Sequence, residues 1–317
     1  MKVLITGIAG FVGSHLSELL IEKKYDLYGI ERRGADTANI EHLMGSIRLY
    51  SECDINDFDA TKKILNKIKP DFVIHLAAQA SLFISWKAPV DTIETNVVGQ
   101  VKLFEALRSL KLNPRIILAG SCEEYGSVKR EDIPIKETCP LRPLNTYAVS
   151  KVAQDYLGYQ YYKSYGLDII RTRPFHQTGP RRSKHFVCSN FARQIALIEK
   201  GRQEAVMYVG NLKAERDFSD VRDMVNAYWH IMKKGRSGDV YNICSGKGYT
   251  IKKVLDMLLS MTEKKVKVKQ DLKRIRLNDV PLFIGDCAKM KRLTGWKPVI
   301  PFEKTLNDLL NYWRDRT

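Results

Sequence analysis

Apolar positions along the chain fall into short runs that alternate with amphipathic stretches. Residues 2–6 form the first apolar run, 7–13 a turn spaced by glycines, and 15–24 a helix. Further runs at 26–30, 47–51, 72–76, 115–119 and 168–173 have the length of strands. Residues 92–110 carry Val97, Val101, Phe104 and Leu107 at the spacing of one helix face, and 147–164 form another long helix. Strands alternating with helices predict an α/β fold with a doubly wound parallel sheet, its helices carried to both faces by right-handed crossovers. After Phe175 the pattern shifts to loops rich in Gly, Pro and Arg with shorter elements. The expected division is a nucleotide-binding domain over 1–174 and a smaller, mixed, mainly substrate-binding lobe over 175–317. Segments 217–234 and 240–243 are able to return to the main sheet.

Composition narrows the field. Among 317 residues there are 52 Lys and Arg against 36 Asp and Glu, a net charge of +16. The densest basic stretch, Lys264 to Arg276, lacks interleaved aromatics for base stacking. The charge therefore points to an anionic small substrate and a lysine-rich surface rather than to nucleic acid. No apolar run reaches the ~18 residues of a membrane span, and the first strand follows Met1 without room for a signal peptide. Cys53, Cys122, Cys139, Cys188, Cys244 and Cys287 show no CxxC spacing, so reduced thiols of a cytoplasmic protein are expected, with no metal site.

Two motifs carry chemistry. Gly7-Ile8-Ala9-Gly10-Phe11-Val12-Gly13, set between a strand and a helix, is a pyrophosphate-binding turn of Rossmann type. Its helix N-terminus offers free N–H groups and a positive dipole end. The second strand ends at Glu31-Arg32-Arg33. A carboxylate there suits the ribose hydroxyl of NAD, and arginine suits the 2′-phosphate of NADP; the arginine pair favours NADP. Asp54 with Ile55 is a candidate adenine-edge contact, with Asp54 as a plain turn residue the alternative. Tyr147 and Lys151, at i and i+4, are neighbours on one helix face. The ammonium is expected to lower the phenol pKa. Tyr147 can then take a hydroxyl proton while a hydride leaves for the nicotinamide, Lys151 can hold the nicotinamide ribose, and Ser121 can bind the same hydroxyl from the end of a strand.

These motifs, in this order, resemble the extended short-chain dehydrogenases/reductases, and among them the GDP-mannose 4,6-dehydratases and the GDP-4-keto-6-deoxymannose reductases. The likeness runs through Arg32-Arg33, Ile40-Glu41-His42-Leu43, Leu76-Ala77-Ala78-Gln79 and Ser121-Cys122-Glu123-Glu124-Tyr125-Gly126. It continues through Gly179-Pro180-Arg181-Arg182, Val209 to Leu212, Glu215 to Phe218 and Val280 to Asp286. The resemblance implies a tightly held NADP or NAD, with Leu76, Ala77 and Ala78 among its contacts, and a GDP-sugar substrate such as GDP-mannose or a close hexose or heptose. It implies oxidation at C4 through Tyr147, removal of the C5 proton by Glu123, loss of water from C6 and hydride return to C6. It also implies Arg216 and Arg276 as diphosphate ligands, with His176 and Asn190 near the sugar or phosphates. Two departures stand out: relatives often carry Phe-Asn-His where this chain has Phe175-His176-Gln177, and Cys122 stands where dTDP-sugar dehydratases have an acid. The proline-arginine-arginine stretch favours the dehydratases. A 4-keto reductase consuming NAD(P)H is the rival, followed by an epimerase and a non-enzymatic nucleotide-sensing or nucleic-acid-binding relative. By analogy, a homodimer or homotetramer through helices 92–110 and 147–164 is expected.

Overall fold

The structure, a computed structural model, describes residues 1–274 and 280–317. In chain order its first half runs β1 (Lys2–Thr6), α1 (Phe11–Glu22), β2 (Asp26–Ile30), β3 (Ile47–Tyr50), α2 (Phe58–Ile68), β4 (Phe72–His75), α3 (Leu82–Lys87) and α4 (Pro89–Ile93). It continues with α5 (Gly99–Ser109), β5 (Arg115–Ala119), α6 (Thr146–Tyr165) and β6 (Ile169–Pro174). The second half holds β7 (His176–Thr178), α7 (Val187–Glu199), β8 (Val206–Val209), β9 (Glu215–Asp220), α8 (Val221–Lys234), β10 (Val240–Ile243) and β11 (Gly248–Thr250). It ends with α9 (Ile251–Leu259), β12 (Lys267–Gln270), β13 (Leu282–Phe283), α10 (Ala288–Thr294) and α11 (Phe302–Arg316).

Seven parallel strands form the main sheet in the order β10-β6-β5-β4-β1-β2-β3. The order reverses between β1 and β4, and open α/β sheets bind ligands in the crevice at the carboxyl ends of such strands. The strands are near-continuous apolar runs because both faces are covered. One face packs α1 and α8 over Ile5, Leu16, Leu20, Met224 and Ile231. The other packs α2, α5 and α6 over Leu4, Leu65, Phe104 and Leu107. A separate core joins α7, α9 and α11 around Phe191, Leu255 and Leu306.

Local signals set the helix ends. Asn145 caps α6 by accepting from the Ala148 N–H at 2.8 Å, and Gly166, at φ 71°, closes it in the left-handed region. Two boundaries differ from the periodicity reading. Helix α1 starts at Phe11 and not at residue 15, because Gly10 already serves as its N-cap. The helix expected over 92–110 begins at Pro89 and is broken by a π turn at Glu94–Val98 before α5. Of the two segments able to return, 240–243 is β10 and pairs with the outer side of β6, whereas 217–220 belongs to β9 of a separate sheet before α8 packs beside α1. No helix among the described residues is long and apolar enough to cross a membrane.

Phe104 is fully buried and its ring lies 5.0 Å from that of Tyr161, joining α5 to α6. Phe104→Ala is expected to cost about 3–5 kcal/mol, read as a lower urea midpoint with an unchanged slope.

Candidate active site

The glycine spacing is forced by crowding. Gly7 has φ 73°, and a Cβ there would stand 2.9 Å from the Ala77 backbone nitrogen. A Cβ at Gly13 would stand 2.4 Å from the Gly7 carbonyl oxygen. Gly10 is exposed at the mouth of α1, so the N–H groups of the first turn, Phe11 and Val12 among them, face an open crevice without intrahelical acceptors. This is a cradle for a diphosphate.

Around it the sequence candidates separate. Glu31 is tied to the turn: its Oε1 accepts the Ala9 N–H at 2.6 Å, and burial raises its pKa. Arg32 and Arg33 are exposed. Ala77 borders Gly7 through its backbone, which donates to Thr6 Oγ1 at 3.2 Å, and Leu76 and Ala78 flank it, half-buried. Asp54 makes a turn, its Oδ1 accepting the Asn56 N–H at 2.8 Å, while Ile55 is buried in the core. The side chain of Ile55 is therefore a core group, which leaves its backbone for an adenine-edge contact.

Ser121, Tyr147 and Lys151 come together at the ends of β5 and α6. Ser121 caps the 3-10 turn Cys122–Tyr125, and its hydroxyl hydrogen-bonds the Tyr147 phenol. Lys151 Nζ donates to the Ala119 carbonyl at 2.8 Å and lies 5.9 Å from the Tyr147 ring centre. Burial lowers its pKa to about 8. Burial also pushes the Tyr147 phenol up, and the hydrogen bond from Ser121 is the chief opposing influence. The expected depression of Tyr147 by the ammonium is thus corrected: desolvation wins, because the phenol is buried and Lys151 is turned to a carbonyl. Beneath Lys151, His75 is buried and neutral, its pKa lowered to about 3 by burial and by the lysine, with Nδ1 2.8 Å from Thr6 Oγ1.

The adjoining residues Glu123 and Glu124 differ in surroundings. Glu124 is fully buried; its Oε1 accepts the Ser121 N–H at 2.7 Å and its Oε2 accepts from Arg173 Nε at 3.0 Å. Arg173 also pairs with Asp155 at 3.0 Å, and Asp155 with Arg171 at 2.5 Å. Burial pushes the Glu124 carboxyl up and Arg173 opposes it. Glu123 faces the crevice, with Oε1 3.9 Å from His176 Nε2; His176 Nδ1 lies 4.0 Å from Cys122 Sγ. Arg216 closes this group: it is buried, with its guanidinium 5.5 Å from the Phe283 ring centre, and Phe283 also packs on His176.

Asn190 is not part of this group. It lines a separate cleft of about 370 Å³ with Arg193, Gln194, Gln203, Tyr208 and Arg274. Its Oδ1 accepts from Gln194 at 2.7 Å and from Arg274 at 3.1 Å. Arg276 lies outside the described residues.

Three groups near the site were given no role in the sequence reading. Arg182 lies 4.8 Å from the Phe11 ring centre and 3.3 Å from that of Phe186; burial lowers its pKa to about 10, and no carboxylate pairs with it among the described residues. Its doublet Arg181-Arg182 was the available signal. Asn96 sits in the π turn and bridges the Gln79 backbone to Ser150 at 2.8 Å, and π turns cluster at functional sites. Glu124 was visible only as part of a motif.

The parallel sheet, the glycine turn and the Ser121-Tyr147-Lys151 set define the class of the Rossmann-type extended short-chain dehydrogenases/reductases. The chain belongs to the GDP-mannose 4,6 dehydratase family, whose model matches residues 4–309. It is 32% identical to GDP-mannose 4,6 dehydratase 1 of Arabidopsis thaliana, over 97% of this chain and 88% of that one. It is 30% identical to the GDP-6-deoxy-D-mannose reductase of Pseudomonas aeruginosa, over 99% and 98%. The structure of RMD from Pseudomonas aeruginosa complexed with NADPH superimposes with a TM-score of 0.87 at 30% identity, covering 100% of this chain and 99% of that one.

Lys151 supplies a stability test. Its folded pKa of about 8 lies below the unfolded value near ~10.4, so between these pH values the unfolded chain binds more protons and stability rises with pH. Below about pH 8 the buried ammonium is a full penalty. Denaturant titrations of nucleotide-free protein should show Lys151→Met more stable than the native chain at pH 7, with the gap closing as pH rises from 8 to 10.

Proposed function

We propose that the chain is a nucleotide-sugar 4,6-dehydratase acting on GDP-mannose or a close GDP-hexose, with NADP held throughout the cycle. The observation that carries this reading is Glu123, a carboxylate two residues from Ser121 and 3.9 Å from His176, together with the Pro180-Arg181-Arg182 stretch that resembles the dehydratases. Gly7, Gly10 and Gly13 with the Phe11 and Val12 amides suit the cofactor diphosphate, and Arg182 beside Phe11 adds a cation. Arg32 and Arg33 suit the 2′-phosphate, because Glu31 is already engaged by Ala9. Bound there, the nicotinamide supplies the hydride acceptor for C4 oxidation and the hydride that ends on C6.

The protein's own groups do the rest. Tyr147 takes the C4 hydroxyl proton, with Ser121 holding the same oxygen. Lys151, beside the same crevice, is placed to hold the nicotinamide ribose. The C4 ketone acidifies C5–H, Glu123 accepts that proton, and the C6 hydroxyl departs. Glu123 then returns a proton to C5. Arg216 beside the crevice suits the substrate diphosphate, and the cleft with Asn190 and Tyr208 suits its base. The substrate lobe is formed mainly by residues after 174.

A second reading is a GDP-4-keto-6-deoxymannose reductase, favoured by the 30% identity and near-complete coverage shared with the Pseudomonas aeruginosa reductase. It uses Ser121, Tyr147 and Lys151 in the reverse sense and leaves Glu123 idle. We also propose a homodimer. Phe83, Trp86, Val90, Val149 and Tyr156 are exposed on the adjoining helices α3, α4 and α6, an apolar face larger than a lone surface residue explains.

Incubated with GDP-mannose and no added cofactor, the purified protein should yield a product lighter by one water, with no net change in reduced nicotinamide. Glu123→Gln should lower that rate by about a hundredfold or more. No water loss, together with NADPH oxidation on the 4-keto-6-deoxy sugar, selects the reductase. Replacing Arg32 and Arg33 by alanine should weaken NADP binding at least tenfold and leave NAD binding nearly unchanged, as measured by calorimetry.

A further inference from the structure

Elimination needs two proton transfers at neighbouring carbons, one from C5 and one to the oxygen leaving C6. A hydroxyl is a poor leaving group unless it is protonated as it departs. The crevice contains few groups able to give that proton. Tyr147 is engaged at C4, and Lys151 is turned to the Ala119 carbonyl. Arg216 keeps its protons at any working pH. Cys122 is buried, and burial raises its thiol pKa further.

His176 is placed differently. Its side chain is 25% exposed and that of Glu123 16%, so both reach the crevice. Nε2 stands 3.9 Å from the Glu123 carboxylate, so the two groups adjoin at one place in the crevice. Nδ1 stands against the Cys122 sulfur at 4.0 Å. An edge contact with Phe218 at 5.8 Å and a tilted contact with Phe283 at 6.0 Å fix the ring plane. Strand β7 holds the backbone, pairing His176 with Phe218 in β9.

We propose that His176 is the general acid of the elimination, paired with Glu123 as the base. This rests on the dehydratase reading and deepens it. Glu123 takes the C5 proton, the C5–H electrons form the C5–C6 double bond, and the C6–O bond breaks. Imidazolium Nε2–H gives its proton to the leaving oxygen, and one water forms. His176, neutral after the step, regains a proton from solvent through its exposed edge. The C4 hydroxyl proton leaves by way of Tyr147, so protons balance over the cycle.

The test compares native protein with His176→Asn and His176→Gln on two substrates: GDP-mannose, and its analogue carrying fluorine in place of the C6 hydroxyl. Fluoride departs with little help from an acid. Removal of the acid should slow water loss from GDP-mannose by about a hundred- to ten-thousandfold. Reduced nicotinamide should then accumulate in a single turnover, because C4 oxidation is spared. Fluoride release should stay within about threefold of native, a selectivity that misfolding or general loosening cannot produce. Equal slowing on both substrates, or no slowing on either, overturns the assignment while leaving the dehydratase reading intact. Native protein that loses neither water nor fluoride, but oxidises NADPH on a 4-keto sugar, overturns both.

Discussion

The site stands on a line of buried charges. Arg171, Asp155, Arg173 and Glu124 alternate in sign beneath the ends of β5 and β6, and the last member accepts the Ser121 amide. Burying any one of these alone would be costly, and together they cancel. Arg173 also donates to the Tyr125 hydroxyl and to the Glu137 carbonyl, both at 3.2 Å, so the loop after the 3-10 turn is held by the same cation. The direction of Ser121, and with it the exposure of Glu123 to the crevice, follows from this line. A Cβ at Gly120 would collide with the Glu124 carboxylate, which explains the glycine where the strand ends.

Much of this was legible from residue order. The strands of the nucleotide half are near-continuous apolar runs, so their existence and parallel arrangement followed from pattern alone. The glycine turn and the Tyr147-Lys151 pair are local, and spacing reveals local geometry. Harder to see was whatever depends on where a side chain turns. Glu31 reads as a ribose ligand until it is found on the Ala9 amide. Ile55 follows an acidic turn residue but belongs to the core. Asn190 shares a helix with no catalytic residue and lines another cleft. In each case tertiary packing, which sequence order does not display, sets where the side chain lies.

The pKa picture has the same origin. A tyrosine and a lysine one helical turn apart look like a tuned pair. Their actual balance depends on how much water each retains, and both are buried deeply enough for desolvation to dominate. The π turn is a further example. One additional residue per turn swings Asn96 toward Gln79 and Ser150, and the hydrophobic period of that segment is too little disturbed to announce it.

The pairing of β10 with β6 bears on how the protein is made. The sheet is continuous in space but not in time. During synthesis the first six strands emerge in succession, while the partner for β6 is still some seventy residues behind. Until β10 arrives, β6 presents an unpaired backbone edge, the sort of surface on which nascent chains associate wrongly. In the folded chain its arginines, Arg171 and Arg173, sit on the acids of α6 and of the turn below β5. What closes that edge is a strand from the second half of the chain, so the main sheet is complete only when both halves have been made.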